Sequence, residues 1–575
     1  MTLVWVALFL GAGTVSVISY SAAKVLADQV SMAGSAHRFP LEFFEGIQRQ
    51  ARWTVVFLAL IGIVFFILRR KIQQNLEELI PSQTGLRNLM DFSSFSRIEM
   101  AGLLVLIVIG FYLRLVQMKG IVTYDEAFTY FQYAQNPLTA VTVYTHVNNH
   151  IFHTLLISII TIFFGGSIWA FRSVAFIAGL LLIPIVFGVA RSRQPGASTL
   201  TGWLAATIVS VNPLVVQYSA MARGYTLQAL IALLTWGLFV RIYQGDRTLV
   251  FMLGVLCSLS LWTIPTSSFL LVGLGFAFLF GFFEKRIKMN ALLNFLLITG
   301  IFSAIFWGPA IIVSGLKAFL MNPDVNPVTG GGTVDPFFER FRYLKGPLSL
   351  HSGGSAGVGV VGLLTLWGLS AAPNPWRWLG MGIFLSIISL IALVQVTPPP
   401  RTCVFLVPLI ALLVDFGLCN ISKLWQKRRK RAEVIVGVLA IFYILTVFPI
   451  PLQYEGPGHK EVSDFAKVVA SQWTPGQTIM IQPETTRMLQ PISGSLYHWY
   501  NAYTVRFYLE RAGIPESAFH WRRKGPSYRG VWLISVQVDG KPMDLQGPEG
   551  KKFTWDLIMG PYSLAKKVPK SQIPD

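Results

Sequence analysis

Long apolar runs dominate the chain and set its predicted architecture. Most are about 20 residues long, the length an α-helix needs to cross the hydrocarbon core of a bilayer. The runs are continuous rather than alternating, which excludes the two-residue period of a membrane-spanning barrel. Clusters of lysine and arginine separate several of them, as the positive-inside rule requires of cytoplasmic loops. The pattern predicts a polytopic α-helical membrane protein.

We expect about 13 transmembrane helices from this pattern. They would cover residues 2–22, 53–68, 98–118, 168–190, 198–219, 226–242, 249–264, 267–283, 290–313, 355–372, 379–396, 402–420 and 434–451. In this scheme the four clearest basic clusters all lie inside; they are 69–71, 191–193, 284–288 and 427–431. The remaining apolar stretch, 150–165, is expected to be a half-buried or re-entrant helix, with two full crossings before Arg191 as the alternative.

Three regions follow from the same pattern. Residues 1–97 would hold an N-terminal pair of transmembrane helices with a cytoplasmic linker, and residues 98–451 a transmembrane core. From about residue 452 the chain becomes richer in charge, glycine and proline, with short strand patterns near 478–481 and 531–536. Helical patterns lie near 459–472 and 501–512. We expect residues 452–575 to form a small extracytoplasmic α/β domain.

Composition and charge support the membrane assignment and exclude other classes. The chain is 53% hydrophobic and 13% charged, against about 25% charged residues in a soluble domain. Its net charge is +20, but most of the basic clusters flank apolar runs. They therefore indicate topology and attraction to anionic lipid rather than a nucleic-acid site. The three cysteines have no pairing pattern or metal-ligand spacing.

Polar residues that could carry chemistry gather on the predicted outer face. They are Asp125, Glu126, His150, His153, Arg223, Tyr225 and Arg401. A carboxylate there could act as a general base, and arginines could hold a phosphate by paired hydrogen bonds. Histidines could bind a metal or a leaving phosphate. Together they suit a lipid-phosphate substrate at the membrane surface.

Each of these residues also has a structural interpretation. The Asp125-Glu126 pair could be a solvated helix cap, and the two histidines, three residues apart on one helix face, could be structural. Arg223 could extend to lipid headgroups, and Arg401, after three prolines, could end a helix. Spacing alone does not separate the roles of Asp125 and Glu126.

Four segments resemble those of the polyprenyl-phosphate-dependent glycosyltransferases with the GT-C membrane fold. This group includes the protein O-mannosyltransferases and the lipid A aminoarabinose transferases. The segments are Tyr124-Asp125-Glu126-Ala127, Asn149-His150-Ile151-Phe152-His153-Thr154-Leu155-Leu156, Gln217-Tyr218-Ser219-Ala220-Met221-Ala222-Arg223-Gly224-Tyr225 and Pro400-Arg401-Thr402-Cys403-Val404-Phe405-Leu406-Val407-Pro408. Their order and spacing hold over roughly residues 98–420.

The resemblance implies a role for each candidate residue. Asp125 would be the catalytic base or would orient the acceptor, and Glu126 would assist it or help bind a cation. The donor phosphate would be bound by His150, His153, Arg223, Tyr225 and Arg401. A divalent cation, with Asp125 and His150 as ligands, would be an optional cofactor. The donor would be a lipid-phosphate hexose or pentose presented from outside, and transfer would invert the anomeric centre.

The sequence thus predicts an integral membrane glycosyltransferase with its active site on the extracytoplasmic face. Its partners would be a polyprenyl-phosphate sugar, an acceptor protein, lipid or glycan, and membrane lipids, with no nucleic acid. One alternative is a lipid or polysaccharide transporter or flippase without catalytic activity. The spans are nearly charge-free at their centres, which disfavours it. A second alternative is a non-catalytic scaffold whose C-terminal part binds a partner.

Overall fold

The computed structural model describes most of the predicted core and parts of the C-terminal region. The described residues are 2–30, single positions between 44 and 63, 95–191, 201–315, 355–394, 400–424, 438, 459–475, 479–481, 502–515, 518–521, 532–536, 553–559 and 562–567. Nearly all of the predicted span 434–451, most of the span 53–68 and nearly all of the loop 314–353 lie outside them.

The chain forms two compact units. The first comprises Met1–Gln117 and Tyr133–Gln453, and the second Met118–Gln132 and Tyr454–Asp575. We expected residues 98–451 to form one core. The short segment Met118–Gln132, which carries Asp125 and Glu126, instead belongs to the same unit as the C-terminal region.

Helices account for nearly all of the described part of the first unit. Numbered along the whole chain, the described helices are α1 (Thr2–Val17), α2 (Tyr20–Val30), α3 (Arg97–Gln117), α4 (Tyr124–Thr129), α5 (Pro137–Thr142), α6 (Ile151–Phe164), α7 (Ile168–Arg191), α8 (Trp203–Val211), α9 (Pro213–Ser219), α10 (Tyr225–Tyr243), α11 (Val250–Thr263), α12 (Ser268–Phe283), α13 (Met289–Ser314), α14 (Ser355–Ala371), α15 (Asn374–Val394), α16 (Leu406–Leu424), α17 (His459–Gln472) and α18 (Ala502–Arg511). A π-helical turn, Tyr130–Ala134, and 3₁₀ turns at Arg247–Leu249, Pro265–Ser267 and Pro400–Cys403 complete the set.

Five helical segments among the described residues are long and apolar enough to cross a membrane. They are α3, α7, α10, the segment Pro265–Phe283 that contains α12, and α13. Helix α6 has 14 residues and is therefore about 21 Å long, less than the roughly 30 Å of a hydrocarbon core. The chain is thus a largely helical, polytopic membrane protein.

The predicted span 198–219 is broken in its middle. Helix α8 ends at Val211 and α9 begins at Pro213, whose ring nitrogen has no hydrogen to donate. The side chain of Asn212 accepts the N–H of Val215 at 3.2 Å and so caps α9. The break leaves carbonyl groups at the end of α8 without helical partners.

Arg114 of α3 supplies those partners. Its guanidinium, fully buried, donates to the carbonyl oxygens of Ser210 at 2.9 Å and Val209 at 3.2 Å. It also donates to Gly110 at 2.9 Å and to the hydroxyl of Ser219 at 3.2 Å, which ties α3, α8 and α9 together. A positive charge near the C-terminus of a helix is also stabilising, because that end of the helix dipole is negative.

A buried carboxylate caps the other end of the same helix. Asp415, in the middle of α16, accepts the backbone N–H groups of Gly202 at 2.8 Å, Leu204 at 3.2 Å and Ala205 at 3.4 Å. Three N–H donors converge on its two oxygens, and hydrogen bonds of this kind favour the ionised form of a carboxyl group. Asp415 is an exception among the nearly charge-free span centres, because its carboxyl group completes the hydrogen bonding of α8 within the bundle.

The second unit combines helices with a mixed five-stranded sheet. Its strands are β1 (Ile479–Ile481), β2 (Phe519–Trp521), β3 (Trp532–Val536), β4 (Phe553–Met559) and β5 (Tyr562–Lys567), in the order β2-β1-β3-β5-β4. Strand β1 runs parallel to β2 and β3, whereas β5 is antiparallel to β3 and β4. The strands predicted near 478–481 and 531–536 are β1 and β3, and the predicted helices are α17 and α18.

Candidate functional site

His150 lies at the entrance to α6 and is almost entirely buried. It is the residue before the first helical position, Ile151. The preceding residue, Asn149, holds the turn in place, because its side-chain amide donates to the carbonyl groups of Ala140 at 3.0 Å and Val143 at 2.7 Å. The imidazole therefore has a fixed position at the start of an otherwise apolar helix.

The start of α10 brings a second element to this imidazole. The backbone N–H of Gly224 donates to Nδ1 of His150 at 2.8 Å. A Cβ atom on Gly224 would lie 2.9 Å from Cγ2 of Thr263 and 3.1 Å from Cβ and Nδ1 of His150. Glycine is therefore needed here for a close approach of backbone to side chain.

Arg223 and Tyr225 flank Gly224 and complete the cluster. Arg223 is 2% exposed, and its guanidinium donates to the carbonyl oxygen of Asn148 at 3.3 Å and to its side-chain oxygen at 3.1 Å. The hydroxyl of Tyr225 lies 3.4 Å from Nη2 of Arg223, and its ring packs edge-on against His150 with centroids 4.9 Å apart. The structure thus brings together three of the candidate residues, His150, Arg223 and Tyr225.

The polarity of this cluster indicates what it can bind. Nδ1 of His150 accepts a hydrogen bond, so the neutral ring carries its hydrogen on Nε2. Nε2 lies 3.5 Å from Nη2 of Arg223, which is also a donor. The two N–H groups are both donors, so they cannot bond to each other. Both could donate to one acceptor placed between them. A phosphate oxygen is such an acceptor.

Burial keeps the imidazole of His150 neutral. It lowers the pKa of His150 well below the ordinary 6.5, and the charges of Arg223, His153 and Arg401 lower it further. Arg401 is exposed, in the turn Pro400–Cys403, and its charge reaches His150 without a direct contact in the described structure. It is therefore an electrostatic neighbour of the cluster.

A polar face continues from His150 along α6. His153, Thr154 and Ser158 are fully buried on this face, and their side-chain nitrogen and oxygen atoms have no hydrogen-bond partner among the described residues. The face extends about 12 Å from His150 at 1.5 Å per residue. Because unpaired buried polar groups are costly, this face is suited to a hydrogen-bonding ligand or ordered water.

Asp125 and Glu126 belong to the other compact unit. Asp125 is half-buried in the first turn of α4. Glu126 is fully buried, and its carboxylate accepts the backbone N–H of Thr123 at 2.9 Å and its hydroxyl at 3.1 Å. Glu126 thus closes the start of α4 as in a capping box. This geometry distinguishes the two acids, which the sequence alone did not.

The sequence did not identify two residues that shape the His150–Arg223 cluster. Asn148 accepts two hydrogen bonds from Arg223, and Gly224 binds the ring of His150 through its backbone. Both stand directly beside predicted site residues, but their roles depend on contacts between segments more than 70 positions apart.

The described residues do not make up a metal site. No group of three or more His, Cys, Asp or Glu side chains within the described ranges could hold a metal ion. The two ligands suggested by resemblance, Asp125 and His150, belong to different units, and Nδ1 of His150 already accepts a backbone N–H. We assign no chemical step to a metal.

Comparison with solved structures identifies the fold. ArnT from Cupriavidus metallidurans in the apo state gives a TM-score of 0.54 at 14% identity, covering 83% of this chain and 99% of ArnT. ArnT bound to undecaprenyl phosphate gives a TM-score of 0.51 at 12% identity with the same coverage. No protein-family model matches the sequence, and no curated protein matches it by sequence.

A larger protein shows a weaker similarity. The oligosaccharyltransferase of Archaeoglobus fulgidus in complex with Zn and sulfate gives a TM-score of 0.46 at 13% identity. The match covers 66% of this chain and 60% of that protein, so the chain spans less than two thirds of its length.

The chain has the fold of the GT-C membrane glycosyltransferases. The resemblance inferred from the four sequence segments is therefore confirmed at the level of fold.

Proposed function

We propose that this chain is an integral membrane glycosyltransferase that takes a sugar from a polyprenyl-phosphate donor. The observation that carries the proposal is the pair of buried donors, Nε2 of His150 and Nη2 of Arg223, 3.5 Å apart. A phosphate oxygen would accept from both and would place a negative charge beside the buried guanidinium. Charge-assisted hydrogen bonds of this kind are the strong ones in proteins.

The same pair would act in catalysis. As the acceptor oxygen or nitrogen attacks the anomeric carbon, the bond from that carbon to the phosphate oxygen breaks, and the phosphate keeps the electron pair. Donors fixed around the phosphate stabilise the charge that develops on it. Arg223 and His150 would provide this, with Tyr225 in contact with both side chains and Arg401 adding positive potential. Attack opposite the leaving phosphate inverts the anomeric centre.

Asp125 is proposed as the general base that takes the proton of the attacking group. The carboxylate of Glu126 already accepts hydrogen bonds from Thr123 at the start of α4. We therefore assign Glu126 the role of orienting Asp125, and we do not assign it proton transfer. His153, on the face of α6 below His150, is assigned to the bound donor, because both ring nitrogens are buried and unpaired within the described residues.

The finer topology belongs to the same proposal. Thirteen spans would place Asp125, Arg223, Arg401 and the C-terminal α/β unit on the extracytoplasmic face, where lipid-linked sugars are presented. The acceptor would be a protein, a lipid or a glycan of the cell envelope.

Donor binding tests the phosphate site directly. Undecaprenyl phosphate is the probe, titrated against the protein in nanodiscs and followed by native mass spectrometry. Replacing Arg223 with glutamine removes a charged donor and should weaken binding about 10- to 100-fold, since such bonds contribute about 1.5–3 kcal/mol. Arg247→Gln, at an exposed arginine, is the matched control and should bind normally. Equal affinity of the two variants would contradict the proposed site.

Mass spectrometry of cells that lack the protein tests the reaction and names the donor. The lipid-phosphate sugar should accumulate and its glycan product should disappear. The Asp125→Asn variant should insert normally but fail to restore the product. A variant that restores it fully would show that Asp125 is not the base.

A lipid-phosphate transporter is the alternative function, because a transported phosphate could also bind to His150 and Arg223. It predicts substrate flux in proteoliposomes without any acceptor, dependent on Arg223 and independent of Asp125. The buried charges of Arg114 and Asp415 do not favour it, because hydrogen bonds to α8 account for both.

A further inference from the structure

The segment Met118–Gln132 forms a compact unit with the C-terminal region, hundreds of residues further along the chain. Within this unit its helix α4 packs against α18. The acidic residues follow a transmembrane helix in sequence, yet their structural partner is the C-terminal region. The contacts on either side of Asp125 explain why.

A hydrogen bond fixes the segment before Asp125. The backbone N–H of Val122 donates to the hydroxyl of Tyr508 at 3.1 Å. Val122 is fully buried and Tyr508 is 3% exposed, so water cannot readily replace this acceptor. A buried N–H without a partner is unfavourable, which makes the tyrosine hydroxyl a specific requirement.

Aromatic contacts fix the segment after Asp125. The ring of Phe507 meets those of Tyr130 and Phe131 edge-on, with centroids 5.5 and 6.3 Å apart. The guanidinium of Arg506 lies 4.4 Å from the centre of the Phe131 ring and 5.6 Å from that of Phe519 in β2. Such cation–π and edge-on contacts have defined geometry as well as apolar area.

Arg506 is itself held in place. Its Nε donates to the carboxylate of Glu510 at 2.6 Å, one turn further along α18. Three consecutive residues of one helix, Arg506, Phe507 and Tyr508, therefore contact the acidic segment on both sides of α4. Between these two contacts Glu126 closes the first turn, and Asp125 is carried on a backbone fixed at both ends.

We propose that α18 is the positioning element for Asp125, with Tyr508 and Arg506 as positioning residues. The inference rests on the proposed function, because it assigns to the C-terminal unit the placement of the carboxylate that acts as base. General-base catalysis depends on hydrogen-bond distance to the proton that is taken, so a segment that moves should lower turnover without weakening donor binding.

Hydrogen exchange tests the contact without any assay of activity. Tyr508→Phe removes only the hydroxyl, and exchange at the Val122 amide should become at least about tenfold faster in the full-length protein. Tyr112→Phe, at an exposed tyrosine of α3, is the matched control and should leave that amide unchanged. Unchanged exchange in Tyr508→Phe would overturn the proposal.

Steady-state kinetics test the positioning role. The donor is the lipid-phosphate sugar that accumulates in cells lacking the protein. Tyr508→Phe should lower kcat about tenfold and leave the KM for donor unchanged, and Arg506→Lys should act in the same direction. In the Asp125→Asn background Tyr508→Phe should not lower the residual turnover any further, because residues that act as one unit are not additive.

The outcomes separate the two proposals. An equal fall in kcat in both backgrounds would show that Tyr508 does not act through Asp125 and would overturn the inference. Full activity of Asp125→Asn would refute the assignment of the base, while the exchange rate at Val122 would still report whether α18 holds the segment. If Tyr508→Phe does not fold, Arg506→Lys decides between these outcomes by the same split of kcat and KM.

Discussion

Replacing Asp415 with asparagine removes a buried carboxyl group at nearly constant volume. The carboxylate accepts three backbone N–H groups at the start of α8. An asparagine side chain offers a single carbonyl oxygen, so at least one of these groups loses its acceptor. This N–H group lies inside the helical bundle, where water cannot readily replace the lost acceptor.

The expected cost follows from these contacts. Loss of one buried hydrogen bond to a charged acceptor costs about 1.5–3 kcal/mol, and loss of a negative charge at a helix N-terminus adds about 0.3–1 kcal/mol. We therefore expect the free energy of unfolding to fall by about 2–4 kcal/mol. The apparent melting midpoint should fall by about 2–5 °C.

A thiol-reactive dye can measure the change in detergent solution. Cys257 is buried in α11 and should react when the bundle opens, once Cys403 and Cys419 have been replaced by serine in both variants. The control is Asp464→Asn, which removes an exposed acid that pairs with Lys467 at 3.4 Å, an interaction of about 0–1 kcal/mol. Identical midpoints for the two variants would refute the assignment of Asp415 as the cap of α8.

Two further predictions concern the His150–Arg223 cluster. Gly224→Ala places a Cβ within 3.1 Å of His150 and should weaken binding of undecaprenyl phosphate about tenfold. Gly300→Ala, with open space around it, is the control and should bind normally. Native mass spectrometry compares the two variants. Burial, and then the charge of Arg223, lowers the pKa of His150, so the unfolded state binds the extra proton below pH 6.5. The free energy of unfolding should therefore fall as the pH drops from 6.5 to 5, by up to about 1.4 kcal/mol per pH unit from this group. Melting midpoints measured over this pH range should fall less in His150→Asn. An unchanged pH slope in that variant would contradict the neutral, buried state of His150.

The apolar runs located most of the described helices because burial in lipid requires a continuous apolar surface. The apolar run 198–219 was predicted as one helix, but Asn212-Pro213 divides it into α8 and α9. The proline was a visible signal of this break. The two charges that complete α8 were not predictable, because Asp415 is 213 positions from Gly202 along the chain.

The candidate site was predictable only in part, for a related reason. Resemblance to a family selected His150, Arg223 and Tyr225, and the contact of Gly224 with His150 explains why their segments meet. Spacing along the chain could not reveal that Val122 bonds Tyr508 across 386 positions. The partition of Asp125 into the C-terminal unit is therefore a property of tertiary structure alone.

The two ends of α8 are completed at different times during synthesis. Arg114 precedes this helix in the chain, so its guanidinium is present when the carbonyl groups of Val209 and Ser210 emerge. Asp415 follows Gly202 by 213 residues, which takes about 10–40 s at 5–20 residues per second. Until then the N–H groups at the start of α8 lack this acceptor, so α8 cannot acquire its full set of hydrogen bonds before α16 docks.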